Sequence, residues 1–170
     1  MKNIHARKEE EMTDIKDHRL KICFAASSGG HFEQIMRLKP LMDKYDSFLI
    51  TERTDYLPDA GGEKIYYLHQ VNRKEKSFLI RMLLNTLESL RIYQKEKPDV
   101  VICTGVLAMI PICLIAKINR KKLIYIESYA KVNSGTETGR FLYRYADRFY
   151  IQWKALRKVY PKGRYVGGIY

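Results

Sequence analysis

Short, nearly unbroken apolar runs alternate along this chain with longer segments of helical period, and that alternation leaves few folds open. Lys21–Ala26, Ser47–Thr51, Lys64–Leu68, Asp99–Thr104, Lys122–Glu127 and Arg148–Gln152 read as strands. A last short strand is expected at Arg164–Val166, after a short helix. Phe32–Met42 has apolar residues at Phe32, Ile35, Met36, Leu38 and Leu41 with charges between, the spacing of an amphipathic helix. Phe78–Lys95 and Ile110–Ile118 read as helices too, the second with Pro111 at its start. Ser134-Gly135-Thr136-Glu137 has capping-box spacing and predicts a helix from there to about Ala146. Strands that are apolar throughout must be covered on both faces, which parallel strands with crossover helices achieve. The pattern predicts an α/β fold, a Rossmann-like parallel sheet with helices on both faces.

The 170 residues suffice for about one domain. Residues 1–19 are polar and read as an arm with a frayed helix around Lys8–Asp17; residues 20–170 read as the single domain. The net charge is +12, and the arm's basic and acidic residues cancel, so the whole excess falls on residues 20–170. Such a domain favours polyanions, anionic lipid surfaces or phosphorylated ligands. Nucleic acid is not the expected partner, because no base-reading basic helix, RNP-like motif or zinc spacing is present. Cys23, Cys103 and Cys113 form no CxxC pair and sit in apolar stretches, as buried thiols of a reducing compartment such as the bacterial cytoplasm do. The N-terminal residues carry no signal-peptide pattern, and the longest uncharged apolar run, Gly105–Ala116, falls short of the roughly 20 residues that span a bilayer.

Open α/β sheets bind ligands beyond the carboxyl ends of their strands. After the first strand stands Ser27-Ser28-Gly29-Gly30-His31, where adjacent glycines permit a tight turn into a helix whose free N–H groups suit an anion. The loop is neither GxGxxG nor a Walker sequence, and no metal or cofactor fingerprint is present. His31 reads either as a polar cap or as a site residue. Thr104-Gly105 follows the fourth strand and Glu127-Ser128 the fifth; a carboxylate there either pairs with a neighbouring base or faces the cleft. In Phe78–Tyr93 the apolar residues, Phe78, Leu79, Met82, Leu83 and Leu87 among them, cover more than one face and are flanked by Arg73, Lys74, Lys76, Arg81 and Arg91. That composition fits a helix lying on anionic lipid, or one buried between the sheet and a partner.

Together, Ser28-Gly29-Gly30-His31, Ile50-Thr51-Glu52-Arg53-Thr54-Asp55, Thr104-Gly105 with Pro111, Tyr125-Ile126-Glu127-Ser128, Thr138-Gly139-Arg140, Tyr145-Ala146-Asp147 and Ile151-Gln152-Trp153 carry a resemblance. Over residues 20–170 the chain resembles the PssD/EpsE-type bacterial polysaccharide proteins, which are similar to asparagine-linked glycosylation protein fourteen. The resemblance implies the N-terminal, acceptor-side half of a GT-B glycosyltransferase such as MurG, with a separate chain binding the nucleotide sugar. It implies a membrane-associated subunit, active only with that partner, that acts on a sugar carried by a polyprenyl diphosphate in capsular or exopolysaccharide synthesis. Such a subunit would lie peripherally on the cytoplasmic face of the bacterial membrane. His31 and Glu127 are then the expected catalytic residues, with Ser28, Gly29, Gly30, Thr104, Gly105 and Ser128 at the acceptor; no cofactor is expected. His31 serves either as general base or as a contact to the acceptor's diphosphate, the second favoured because the Gly-Gly turn and helix N-terminus already make an anion site. Where relatives have a Gly/Ala-rich loop after Thr-Gly, this chain has Val106-Leu107-Ala108-Met109. A non-catalytic dock that recruits the catalytic chain to the membrane is the alternative. An independent nucleotide-binding enzyme is the third reading, and the missing GxGxxG weighs against it.

Overall fold

The computed structural model describes residues 20–55 and 59–169; the expected N-terminal arm and its frayed helix lie outside them. The elements in chain order are β1 (Lys21–Ala26), α1 (Gly30–Met36), α2 (Lys39–Met42), β2 (Asp46–Arg53), β3 (Lys64–His69), α3 (Phe78–Glu96), β4 (Val100–Gly105), α4 (Ile110–Ile118), β5 (Lys122–Ile126), α5 (Glu137–Leu142), β6 (Arg148–Ile151) and β7 (Arg164–Tyr165). Short 3-10 turns at Leu107–Met109 and Lys154–Lys158 precede α4 and β7. All seven strands form one parallel sheet in the order β3-β2-β1-β4-β5-β6-β7. The order reverses between β1 and β4, and there the crevice of a doubly wound sheet opens at the carboxyl ends of the strands.

The strands alternate their side chains between two cores. Cys23, Ala25, Phe48, Ile50, Val101, Cys103, Leu123 and Tyr125 face one way, under α3 and α4. Ile22, Phe24, Ala26, Leu49, Ile102 and Ile126 face the other, with Phe32 and Ile35 of α1 and Met42 of α2 packed on them. The three cysteines are free and buried in the first core.

Two helices depart from expectation for local reasons. The expected helix over Phe32–Met42 is two helices, because Pro40 has no N–H to offer the Met36 carbonyl four residues back; Pro40 instead opens the short α2. The α5 helix starts one turn after the expected Ser134 cap. Extended Thr136 is the cap, its Oγ1 accepting from the Gly139 N–H at 2.9 Å, so Glu137 is the first helical residue. This helix ends at Leu142 rather than near Ala146.

The long α3 has its polarity inverted. Its inward face carries Asn85, Ser89, Ile92, Tyr93 and Glu96. Its outward face carries Leu79, Ile80 and Leu83, exposed by 75%, 64% and 61%, and then Leu84, Leu87 and Leu90. Phe78 and Met82 are half-buried. Asn85 gives the reason this polar face can be inside: its amide accepts from the His69 N–H and donates to the His69 carbonyl, both at 2.8 Å. It thereby pairs the backbone of the edge strand β3, which would otherwise go unsatisfied.

At the amino ends of the strands Glu96 does similar work with charge. Its side chain is 5% exposed and accepts from Lys21 at 3.2 Å and from Lys64 and Tyr66, tying α3 to β1 and β3. Burial alone would push this carboxyl up; the bonds from Lys64, Tyr66 and Lys21 outweigh it and bring the pKa from 4.5 down to about 2. The folded chain thus holds its proton less tightly than the unfolded one, so this stability is complete above pH 4.5 and is lost as pH falls toward 2. Replacing Glu96→Gln should cost about 2 kcal/mol at neutral pH. Urea titrations across acid pH should show the variant with a shallower decline below pH 4.5 than the wild type. Equal slopes would show that Glu96 does not carry the acid dependence.

Candidate functional site

The crevice at the switch point is built from the ends of β1 and β4. Ser27 N–H donates to the Gly105 carbonyl at 2.9 Å, and the Thr104 hydroxyl donates to the His31 carbonyl at 3.2 Å, so the two loops are laced together. Gly29 turns the chain with φ +70°, a conformation that suits glycine, and its carbonyl accepts from Phe32 and Glu33. Gly30, by contrast, is the first residue of α1, and a Cβ there would meet nothing within 4 Å among the described residues beyond its own neighbours and helix backbone. The turn therefore needs only Gly29; Gly30 leaves open space at the rim. Gly105, at φ +110°, is wedged where a Cβ would lie 3.3 Å from the His31 ring and 3.4 Å from the Tyr125 hydroxyl.

His31 is half-buried, with its Nδ1 enclosed and without a hydrogen-bond partner among the described residues. Burial pulls its pKa below the ordinary 6.5 against the upward pull of the Thr104 backbone and the Glu127 carboxylate, so the ring is neutral at pH 7. An imidazole in that state accepts a proton or a hydrogen bond; it does not supply a cation.

Glu127 lies one residue past β5 and turns inward, correcting the alternatives of a basic partner or an open cleft. The carboxylate is fully buried. Its Oε1 accepts from the Ser128 N–H at 2.8 Å and the Thr136 hydroxyl at 2.9 Å; its Oε2 accepts from the Thr136 N–H at 3.1 Å and from the Tyr160 hydroxyl. Its carbonyl accepts from Gln152 at 2.8 Å and Gln34 at 3.4 Å. Four donors satisfy the charge without a cation, which is what permits a buried carboxylate there. Burial, and then the bond to Glu127, push the Tyr160 phenol well above its ordinary range, so it remains a donor.

Of the residues expected at the acceptor, Ser28, Gly29 and Gly30 line the rim, whereas Thr104, Gly105 and Ser128 are buried and brace the crevice from beneath. Beside the β4 end opens a cavity of 560 Å³, walled by Gln70–Glu75, by Val106 and Leu107, and by Thr136–Thr138. The bulky Val106 and Leu107 form its wall, while Ala108 and Met109 turn into the core. The Gln70–Glu75 loop is held from below: buried Glu52 accepts from the Val71 N–H at 3.3 Å and Arg81 donates to the Gln70 carbonyl at 2.9 Å. Arg73 and Lys74 bring positive charge to this cavity, Arg73 lying 3.7 Å from Glu137. Among the described residues no group of three or more His, Cys, Asp or Glu has metal-binding geometry.

Sequence reasoning missed Gln34 and Tyr160, and it read Glu52 as paired with Arg53 or solvent, whereas Glu52 is buried and accepts from the Val71 N–H. Gln34 stands in the apolar stripe of α1 with 2% exposure, and a polar residue at a core position was the available signal. Tyr160 carried none, since its bond to Glu127 spans 33 residues. Glu127→Gln should cost about 2–4 kcal/mol, because an amide NH₂ would face donors in place of one oxygen, and Tyr160→Phe about 1–2 kcal/mol. Gly139→Ala should also destabilise, its Cβ falling 2.3 Å from Glu127 Oε2. Denaturant titration checks all three; a Glu127→Gln protein as stable as wild type would refute the structural role of this carboxylate.

A family model described as "Oligosaccharide biosynthesis protein Alg14 like" matches residues 63–169. The human protein named UDP-N-acetylglucosamine transferase subunit ALG14 is 29% identical over 181 residues, covering 88% of this chain and 83% of the human one. The protein of the same name from Yarrowia lipolytica is 26% identical over 147 residues, covering 83% of this chain and 64% of its own. Among solved structures, MurG from Acinetobacter baumannii superposes with a TM-score of 0.66 at 17% identity, over 80% of this chain and 42% of MurG. The galactosyltransferase WaaB superposes with a TM-score of 0.61 at 15% identity, over 85% of this chain and 43% of WaaB. The chain thus spans less than half of these two solved proteins, and the likeness at such identity is one of fold: a parallel sheet matching the N-terminal half of a GT-B enzyme. With more than half of its length matched by the family model, the chain belongs to the Alg14-like family of oligosaccharide biosynthesis proteins.

Proposed function

We propose that this chain is the acceptor-side subunit of a two-chain glycosyltransferase, with a partner chain holding a UDP-sugar, UDP-N-acetylglucosamine by analogy with the relatives' names. The acceptor is a sugar on a polyprenyl diphosphate, and the product feeds assembly of a capsular or exopolysaccharide. The observation that carries the reading is a crevice at the switch point beside a polar cavity that presents Arg73 and Lys74, in a chain matching one half of a two-domain fold.

In this reading Arg73 and Lys74 meet the acceptor's diphosphate in the 560 Å³ cavity, with Gln70, Asn72, Thr136 and Thr138 as neutral lining; its two carboxylates are each beside an arginine, Glu75 at 3.3 Å from Arg81 and Glu137 at 3.7 Å from Arg73. The acceptor hydroxyl lies at the rim near Gly30, where open space admits it, and attacks the anomeric carbon as the bond to UDP breaks. Neutral His31 takes the hydroxyl proton, a better match to its lowered pKa than an ion pair with the diphosphate. Glu127 is a positioning residue: through Thr136 and Ser128 it holds the loop that walls the cavity. The outward leucines of α3 begin just after the Arg73–Lys74 loop and would rest the protein on the bilayer that carries the acceptor's prenyl tail. No described helix is long and apolar enough to cross a membrane, so this contact is peripheral for the described residues.

The test is the assembled pair with UDP-N-acetylglucosamine and a lipid-linked acceptor. His31→Ala should lower kcat by about 10²–10⁴-fold with partner association intact. The wild-type rate should fall as pH drops through a value below 6.5, because protonation removes the base, and the variant should lack that limb. Arg73→Ala with Lys74→Ala should instead raise the acceptor KM. Unchanged kcat and KM in the His31 variant would overturn its role and leave the chain as a membrane dock.

Membrane placement has its own check. Replacing Leu79, Leu83 and Leu87 by Ser removes apolar side chains that are already exposed, so folding stability should change little. Vesicle flotation should nonetheless be lost. Undiminished flotation would assign α3 to a protein interface.

A further inference from the structure

A second cavity, of 330 Å³, lies along the outer edge of β3, where α3 passes over it. One wall is Arg53, Tyr67 and His69; the other is Leu84, Leu87, Glu88 and Arg91 of α3. The parallel register explains the first wall. Arg53 pairs with His69 and Thr51 with Tyr67, so Arg53, Tyr67 and His69 leave the sheet on one face at neighbouring positions. The Arg53 guanidinium lies 5.7 Å from the centre of the Tyr67 ring. The second wall is held in place by the paired hydrogen bonds of Asn85 to His69, which pin α3 to the strand edge at this level.

Three properties narrow the ligand. The cavity is cationic: Arg91 sits 3.3 Å from Glu88, while Arg53 has no carboxylate within ion-pair distance among the described residues. Its donors differ in kind, two guanidiniums beside an imidazole and a phenol, as suits the several oxygens of a phosphate ester. Leu84 and Leu87 belong both to the cavity and to the exposed stripe of α3, so the cations stand at the border of an apolar surface. An anionic group that is itself joined to an apolar chain satisfies all three. The site is separate from the Arg73–Lys74 cavity, which shares no residue with it.

We propose that this cavity binds the phosphate of an anionic phospholipid headgroup, with Arg53 and Arg91 gripping its oxygens and Leu84 and Leu87 meeting the first part of the acyl chain. The proposal rests on the reading that α3 lies on a membrane. It adds a defined headgroup site to what would otherwise be diffuse attraction between a basic domain and a charged surface, and so fixes the rotation of the protein about α3.

The experiment compares sedimentation of the full chain with phosphatidylcholine vesicles and with vesicles in which a third of the lipid is phosphatidylglycerol. Arg53→Gln with Arg91→Gln should weaken binding to the anionic vesicles about tenfold and leave binding to phosphatidylcholine unchanged. A charge-matched control, Lys44→Gln with Lys158→Gln, should weaken it far less. Equal losses in the two variants would overturn the site while leaving the membrane reading intact. Loss of binding to phosphatidylglycerol vesicles in the leucine-to-serine variant of α3 keeps that reading; no loss there defeats it, and the headgroup site with it. Glycerol 3-phosphate and inorganic phosphate are the soluble probes. Either one bound by wild type as tightly as the vesicles, and lost in the arginine variant, would show a free phosphate site and overturn the lipid assignment. Thermal melts of the arginine variant should match wild type, since both side chains are exposed.

Discussion

A buried carboxylate with four neutral donors organises the carboxyl edge of this sheet. Glu127 joins the loop after β5 to the cap of α5, to Tyr160 near β7, and through its carbonyl to Gln34 of α1 and Gln152 after β6. The loop between Glu127 and Thr136, nine positions apart, has no helix or strand of its own to define its path. The charge supplies that path, because each donor loses far more in leaving a buried carboxylate than in leaving water. The cavity wall formed by Thr136–Thr138 and the packing of Tyr160 against Phe149 at 4.5 Å follow from the same node. Glycine at 139 belongs to the arrangement, since any side chain there would occupy the position of Glu127 Oε2.

The sheet and α3 divide the remaining labour. Parallel pairing sets the ends of β1 and β4 side by side and so brings His31 against Gly105 across 74 residues of chain. The α3 helix, by contrast, spends its polar residues inward, on the backbone of an edge strand and on Lys21, Lys64 and Tyr66, and its leucines outward. A helix so oriented contributes less apolar burial to its own domain than its composition allows. That cost makes sense when the outer face has an environment of its own, lipid in the reading proposed above.

Most of the architecture was legible because strand periodicity in a doubly wound sheet is a local signal; β1 and α4 have the expected bounds. The breaks were less so. Pro40 stood in plain view inside the expected Phe32–Met42 helix, yet the apolar spacing continued through it. Ser134 was read as the cap from its spacing to Glu137, whereas Thr136, tied to the buried Glu127, takes that place. In the crevice, His31 and Gly105 were singled out as strand-end residues, and they lie side by side where the strand order reverses. Glu127 was singled out for its place and misjudged in its direction, because three of its four donors come from Thr136 and Tyr160, 9 and 33 positions away. The Arg53–His69 juxtaposition needed the register of β2 on β3, which sequence does not specify at single-residue level.

The central claim is that this chain supplies the acceptor side alone and leaves the nucleotide sugar to a partner. Calorimetry of UDP-N-acetylglucosamine against the isolated chain, and then against the assembled pair, addresses it most directly. The acceptor-side reading predicts no saturable heat with the isolated chain and saturable binding once the partner is present. Micromolar binding by the isolated chain would contradict it, since the donor site would then lie in this domain.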